Sequence, residues 1–259
     1  MAKPILITGA SSGIGYELAK VCAQHRHDLV LVARREDPLL GLKAELEAAH
    51  GIQVLTYRGD LTEADTRQQF FDWTQSQGIV PYALVNNAGF GDLTAFAESN
   101  WQRQNAMLQL NIVALTHLTR LYLPGMIAQG QGRLLNVASL AAFLPGPYLA
   151  VYYATKAYVL SFTEALAGEL EGTGLTATTL CPGPTQSEFQ EQAAASDAKL
   201  FTIDAMPTAA EVARYGYAAM EKGQRVAVHG TKNKLLSLGT RLLPRQTLAD
   251  IAKKMQKPA

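Results

Sequence analysis

The chain has 259 residues, 48% hydrophobic and 17% charged, with a formal net charge of +1. That length admits one large α/β unit, and the near-neutral balance without Lys/Arg runs argues against nucleic acid as a partner. Two distant cysteines, Cys22 and Cys181, make no disulfide framework, and the five histidines have no metal-ligand spacing.

The opening "MAKPILITG" is apolar too briefly for a secretion signal, and no run of about 18 apolar residues follows anywhere. The expected location is the cytoplasm. A first strand is predicted at "PILIT" (4–8), then strands at 28–33, 53–58, 82–86, 133–139, 175–180 and 225–229. Several are apolar at consecutive positions, which suits parallel strands covered on both faces. Helical stretches at 14–25, 38–50, 63–77, 99–129 and 152–171 alternate with them. This alternation predicts a doubly wound parallel α/β sheet of about seven strands with helices on both faces. No linker or repeat divides residues 1–259, so a single domain is expected.

Two regions break the rhythm. Residues 186–209 carry few large apolar side chains and read as an excursion on the substrate side. Residues 232–257 mix leucines with basic residues beyond the last strand. That tail suits a packing helix pair, an oligomer contact or a membrane-surface element.

"ITGASSGIG" (7–15) sets Gly9, Gly13 and Gly15 between the first strand and first helix. Such a turn needs glycine's backbone freedom, and the missing side chains let a pyrophosphate approach the main chain. The helix starting near Ile14 adds unsatisfied N–H groups and a positive dipole end. The second strand runs into "VARRED": Ala33 stands where a ribose-binding carboxylate is expected, followed by Arg34 and Arg35. Two guanidiniums there favour a 2′-phosphate, hence NADP(H) over NAD(H). The competing reading makes the arginines a solvated helix start, with Glu36 or Asp37 on the ribose. Asp60 and "NNAG" (86–89) fall at carboxyl ends of strands, the edge where open α/β sheets bind ligands.

"AVYYATKAY" (150–158) puts Tyr152 four residues and Tyr153 three residues before Lys156. Helical geometry allows both phenols near the ammonium. The glycine turn, "NNAG", Ser139, Tyr152-x-x-x-Lys156 and "PGPT" (182–185), in that order, resemble the short-chain dehydrogenase/reductase family, over residues 4 to about 230. The resemblance implies a Rossmann-type fold and selects Tyr152, thirteen residues after Ser139. Tyr153 and Tyr158 are then packing residues.

By the same resemblance Asn111, Ser139, Tyr152 and Lys156 are the catalytic set. Gly9, Ser11, Ser12, Gly13, Ile14, Gly15, Arg34, Arg35, Asp60, Leu61, Asn87, Ala88, Gly89, Pro182, Gly183 and Thr185, with Tyr152 and Lys156, are the cofactor-binding set. Reduction of a carbonyl needs a hydride on carbon and a proton on oxygen. Bringing a phenol from its usual ~10 to neutrality takes roughly 4 kcal/mol. One ammonium at ~4 Å in an effective dielectric of ~20 supplies about that much, with burial opposing it. Lys156 is therefore expected to lower the Tyr152 pKa.

The expected substrate is a small-molecule ketone or 3-oxoacyl compound, in a pocket walled by Phe90, Phe143, Tyr148 and Phe189. Family reductases acting on carrier-bound 3-oxoacyl groups often carry a basic residue where this chain has Ser12. The helix 157–170 is apolar around much of its circumference, and the resemblance implies a homodimer or homotetramer. The alternative is a non-catalytic NADP(H)-binding sensor, a class that usually lacks the tyrosine or the lysine.

Overall fold

Seven strands form one parallel sheet in a computed structural model that describes residues 3–188 and 206–256. They are β1 (Ile5–Thr8), β2 (Leu29–Ala33), β3 (Val54–Arg58), β4 (Ala83–Asn86), β5 (Gly132–Val137), β6 (Leu175–Cys181) and β7 (Val226–Val228). The spatial order is β3-β2-β1-β4-β5-β6-β7. The order reverses between β1 and β4, which opens a crevice above their carboxyl ends.

The strand sequences explain the two-sided burial. Ile5, Ile7, Leu29, Leu31, Ala83, Val85 and Leu135 pack on one face. The intervening Leu6, Val30, Val32, Leu84 and Leu134 pack on the other. Alternate side chains leave a strand on opposite faces, so only apolar residues at consecutive positions can serve two cores. The first face is covered by α1 (Gly13–Gln24), α2 (Glu36–His50) and α7 (Ala209–Glu221). The second is covered by α3 (Ala64–Ser76), α5 (Leu115–Ala128) and α6 (Ala150–Glu169). Phe70 and Tyr122 are fully buried there, and the Tyr122 hydroxyl meets Thr74 Oγ1 at 2.9 Å. Helix α7 starts at a reciprocal cap, Thr208 with Glu211, where Glu211 accepts from the Thr208 N–H at 2.8 Å.

The predicted helix 99–129 is three pieces. Helix α4 (Trp101–Leu108) passes through a π-helical turn, Gln109–Ala114, into α5. Asn111 sits inside that turn. The predicted strand 133–139 stops at Val137, which leaves Ser139 beyond the sheet at the start of a 3₁₀ turn, Leu140–Phe143.

Most of the 186–209 excursion, including Phe189, lies outside the described residues. Its two ends meet, with the Gln186 N–H donating to the Pro207 carbonyl at 3.0 Å. The C-terminal tail forms α8 (Thr231–Gly239) and α9 (Arg245–Gln256). Among the described residues no helix is long and apolar enough to cross a membrane, and no His/Cys/Asp/Glu group could hold a metal. Cys22 and Cys181 are buried free thiols.

Candidate active site

A cavity of about 1120 Å³ runs from the glycine turn, past Ser139, Tyr152 and Lys156, to helices α8 and α9. Its first end is the crevice between β1 and β4. Gly9 has φ 70°, and a Cβ there would stand 2.9 Å from Ala88 Cα, so no side chain fits between the two loops. Thr8 Oγ1 accepts from the N–H groups of Asn87 and Ala88, each at 3.0 Å. Asn87 Nδ2 donates back to the Thr8 carbonyl at 2.9 Å. These bonds lock the glycine turn to the "NNAG" turn.

The start of α1 is prepared for an anion. Ser12 is extended and its side chain does not cap the helix, and the first turn carries no acid. The N–H groups and dipole end are thus left to whatever enters the cavity. Ser11, Ser12, Gly13, Ile14, Arg34, Arg35, Asp60, Leu61, Asn87, Ala88 and Gly89 all line it. Gly15 does not; it packs beneath the turn against the Gly9 carbonyl and Asn87.

Arg35 hydrogen-bonds Ser11, with Nη2 at 3.3 Å from its carbonyl, and forms an ion pair with Glu188 at 2.8 Å. Glu36 and Asp37, the rival ribose ligands, belong to the first turn of α2 and do not line the cavity. Asp60 Oδ1 accepts from the Thr62 N–H at 3.0 Å and hydroxyl at 2.8 Å, which aims the turn at the cavity. The donor set fits a dinucleotide: a bare helix N-terminus for pyrophosphate and two guanidiniums where the second ribose would lie.

At the other end Ser139 Oγ accepts from the Ala141 N–H at 3.1 Å, and its hydroxyl bonds the Tyr152 phenol. Lys156 Nζ lies 5.8 Å from the Tyr152 ring centroid and donates to the Val137 carbonyl at 2.8 Å. Here the electrostatic expectation needs correcting. Burial pushes the Tyr152 pKa up to about 12, with the Ser139 hydrogen bond opposing it. Burial likewise pushes Lys156 down to about 8. Lys156 spends its ammonium on a backbone carbonyl, and desolvation of the phenol outweighs the opposing Ser139 bond.

Asn111 is buried and does not line the cavity. Its Oδ1 accepts from the Phe90 N–H at 3.1 Å, while Nδ2 donates to the Phe90 carbonyl at 3.0 Å and Thr155 Oγ1 at 3.1 Å. It ties the "NNAG" turn to α6 from behind. The π-helical turn adds one residue to that helix turn, a device common at functional sites.

Pro182, Gly183 and Thr185 line the cavity after β6, with Thr185 Oγ1 donating to the Gly183 carbonyl at 2.9 Å. Phe90 and Phe143 line the cavity as expected, but Tyr148 does not. Tyr148 has φ 67°, and its carbonyl accepts from the Thr94 N–H at 2.8 Å. That bond makes it part of a loop–loop contact, outside the predicted wall.

A family model described as short chain dehydrogenase matches residues 3–198. The chain belongs to the short-chain dehydrogenase family. It is 33% identical over 182 residues to D-beta-hydroxybutyrate dehydrogenase of Cupriavidus necator, covering 70% of each chain. It is 35% identical over 183 residues to ketoacyl reductase HetN of Nostoc sp., covering 70% of this chain and 63% of that one. A solved short-chain dehydrogenase from Sphingobium yanoikuyae in complex with NADPH superposes with a TM-score of 0.82. That structure is 28% identical, with 92% of this chain and 93% of the other covered.

The family match stops before the residues that sequence reasoning missed. Asn233, Leu248, Ile251, Met255 and Gln256 of the tail line the cavity together with Tyr153. Asn233 donates to the His229 carbonyl at 2.8 Å and packs so close to Gly183 that a Cβ there would lie 2.6 Å from its amide nitrogen. Gln256 Nε2 bonds the Tyr153 hydroxyl. The ring of Tyr153 meets that of Tyr152 edge-on at 6.1 Å. Tyr158, by contrast, packs outward, with its hydroxyl 3.0 Å from Thr116 Oγ1. The alternation of leucine with polar residues in the tail signals a helix, but nothing local tells which cavity it covers.

Proposed function

We propose that this short-chain dehydrogenase is an NADP(H)-dependent reductase of apolar ketones or 3-oxoacyl compounds. One observation carries the reading: Ser139, Tyr152 and Lys156 meet in the same cavity that begins at the bare N-terminus of α1 and at Arg34 and Arg35. The NADPH complex of the Sphingobium relative and the ketoacyl activity named for the Nostoc relative point the same way. The apolar wall of Phe90, Phe143, Leu144, Leu149 and Leu248 suits a substrate with little charge.

A bound nicotinamide would supply the hydride that the carbonyl carbon takes up. Tyr152, held protonated at neutral pH by its burial, delivers the proton from its hydroxyl to the carbonyl oxygen. Ser139 donates a hydrogen bond to that oxygen as charge builds, while its backbone turn keeps the hydroxyl aimed at Tyr152. Lys156, protonated below about pH 8, is anchored on the Val137 carbonyl with its charge 5.8 Å from the Tyr152 ring centroid, and is the positive charge that α6 presents to the cavity beside the phenol. Asn111 holds Phe90 and Thr155, and so sets the spacing between the "NNAG" turn and α6. Arg34 and Arg35 would hold a 2′-phosphate, Arg35 exchanging its present ion pair with Glu188 for it.

The outer face of α6 exposes Ala154, Ala157, Ala165 and Gly168, small enough for close helix approach, beside the apolar ring of Tyr158, and we assign it to a subunit contact. Light scattering at micromolar concentration should then give a dimer or tetramer.

The deciding experiment follows NADPH oxidation by absorbance across aromatic ketones, diketones and 3-oxoacyl thioesters. Turnover abolished by Tyr152→Phe but kept by Tyr153→Phe supports the reading. NADPH binding with no turnover of any carbonyl in the panel would turn the assignment toward a cofactor sensor.

A further inference from the structure

Helices α8 and α9 carry apolar surface that the rest of the described chain leaves open. Leu235, Leu236, Leu238, Leu242 and Leu243 are 66, 63, 58, 86 and 45% exposed. Single exposed leucines are ordinary, whereas a contiguous group marks an interaction surface. Leu235, Leu236 and Leu243 also line the cavity, as do the half-exposed Ile251 and Met255 of α9. The apolar surface is therefore continuous with the wall of the cavity.

Its surroundings are strongly basic. Between residues 231 and 256 the cations are Lys232, Lys234, Arg241, Arg245, Lys253 and Lys254, and Asp250 is the one acid, in a chain of net charge +1. Lys234 and Leu238 stand four residues apart on α8, on the same side of the helix, and Arg241 and Leu242 follow in the turn beyond it. All four are exposed, while Ser237 is buried and Asn233 is bonded to His229.

A second copy of this chain is a poor occupant for that face. A two-fold contact would set the basic patch against its own image, with like charges opposed and desolvated. A bilayer with anionic headgroups answers both features. Leucines enter the acyl boundary, and lysine and arginine reach the headgroups on their long stems.

We propose that the α8–α9 face docks on an anionic membrane surface and holds the cavity at the lipid boundary, where an apolar carbonyl substrate enters from the bilayer. The substrate clause rests on the reductase reading; the docking does not.

The test uses the full-length protein cosedimented with vesicles of phosphatidylcholine alone and of phosphatidylcholine with an equal share of phosphatidylglycerol. Binding to the anionic vesicles, weak binding to the neutral ones and loss at about 0.5 M salt are expected. Leu238 and Leu242 do not line the cavity, so the pair Leu238→Glu/Leu242→Glu tests docking alone. It should lower partitioning about tenfold or more, with oxidation of NADPH by a water-soluble carbonyl unchanged. Lys234→Gln and Arg241→Gln should each lower it about fivefold.

Absence of binding to anionic vesicles, or binding indifferent to the leucine pair, overturns docking. So does a self-association that the leucine pair abolishes, since the occupant is then a second copy. Vesicle binding without any carbonyl turnover leaves docking supported and sinks the reductase reading, so the two fail separately.

Discussion

The glycine-turn end of the cavity and the α8–α9 end line one space but are built by different means. Around Gly9 the surface offered to a ligand is main chain, held in place by two short polar side chains. Thr8 Oγ1 accepts from the Asn87 and Ala88 N–H groups at 3.0 Å and Asn87 Nδ2 donates to the Thr8 carbonyl at 2.9 Å, while Gly9 leaves no room for a side chain between the turns. At α8–α9 side chains do the work, through the Asn233 contact with Gly183 and the Gln256 bond to Tyr153. A backbone-built site is rigid and chemically general, which suits a common cofactor. A wall made of side chains on two short helices can change with the substrate while the cofactor end stays the same.

The largest effect is expected at Tyr152, the phenol that stands between the two ends. Tyr152→Phe removes the proton donor and keeps the ring, so kcat should fall about 10²–10⁴-fold with the melting temperature little changed. If Tyr153→Phe did the same damage, the assignment of roles within α6 would be wrong.

Arg35→Ala tests the cofactor end. A charge-assisted bond to phosphate is worth about 1.5–3 kcal/mol, so the KM for NADPH should rise about 10–100-fold. The KM for NADH should hardly move. Equal losses for both cofactors would show that Arg35 supports the turn through Ser11 and does not read the 2′-phosphate.

The pH profile comes next. Lys156 is depressed to about 8, so its positive charge is about nine-tenths present at pH 7 and is lost as pH rises through 8. Tyr152, raised to about 12, stays protonated across this window. For carbonyl reduction kcat/KM should therefore be flat from pH 6 to 7.5 and then fall about tenfold per unit above 8. A flat profile to pH 9 would mean that the lysine charge is not needed.

The smallest effect is expected at the other end of the cavity. Tyr153→Phe removes the bond to Gln256 and nothing else. A neutral hydrogen bond is worth about 0.5–1.5 kcal/mol, so KM for a bulky ketone should rise about 2–10-fold at constant kcat. A small aldehyde, which needs less of the wall, should show no change. Gln256→Glu, which loses the Nε2 donor, should raise the bulky substrate's KM about as much as Gln256→Ala.

The residue order was enough for the seven-strand parallel sheet and the glycine turn, and its likeness to a family pointed to Ser139, Tyr152 and Lys156. The sheet and the turn rest on short-range rules: apolar residues at consecutive strand positions and a glycine that no other residue can replace at φ 70°. Such rules act over a few residues and can be read off a string. Helical spacing alone left both Tyr152 and Tyr153 beside Lys156, and the family resemblance chose between them. The contacts of the folded chain put Tyr148 in a loop–loop contact and Asn111 in a π-helical turn bonded to Phe90 and Thr155. Folding also buries Tyr152 enough to raise its pKa, and brings residues 232–256 over the cavity. These depend on contacts between segments far apart in the chain. The bond between Gln256 and Tyr153 spans 103 residues, and the desolvation of Tyr152 is a sum over neighbours that no local pattern encodes.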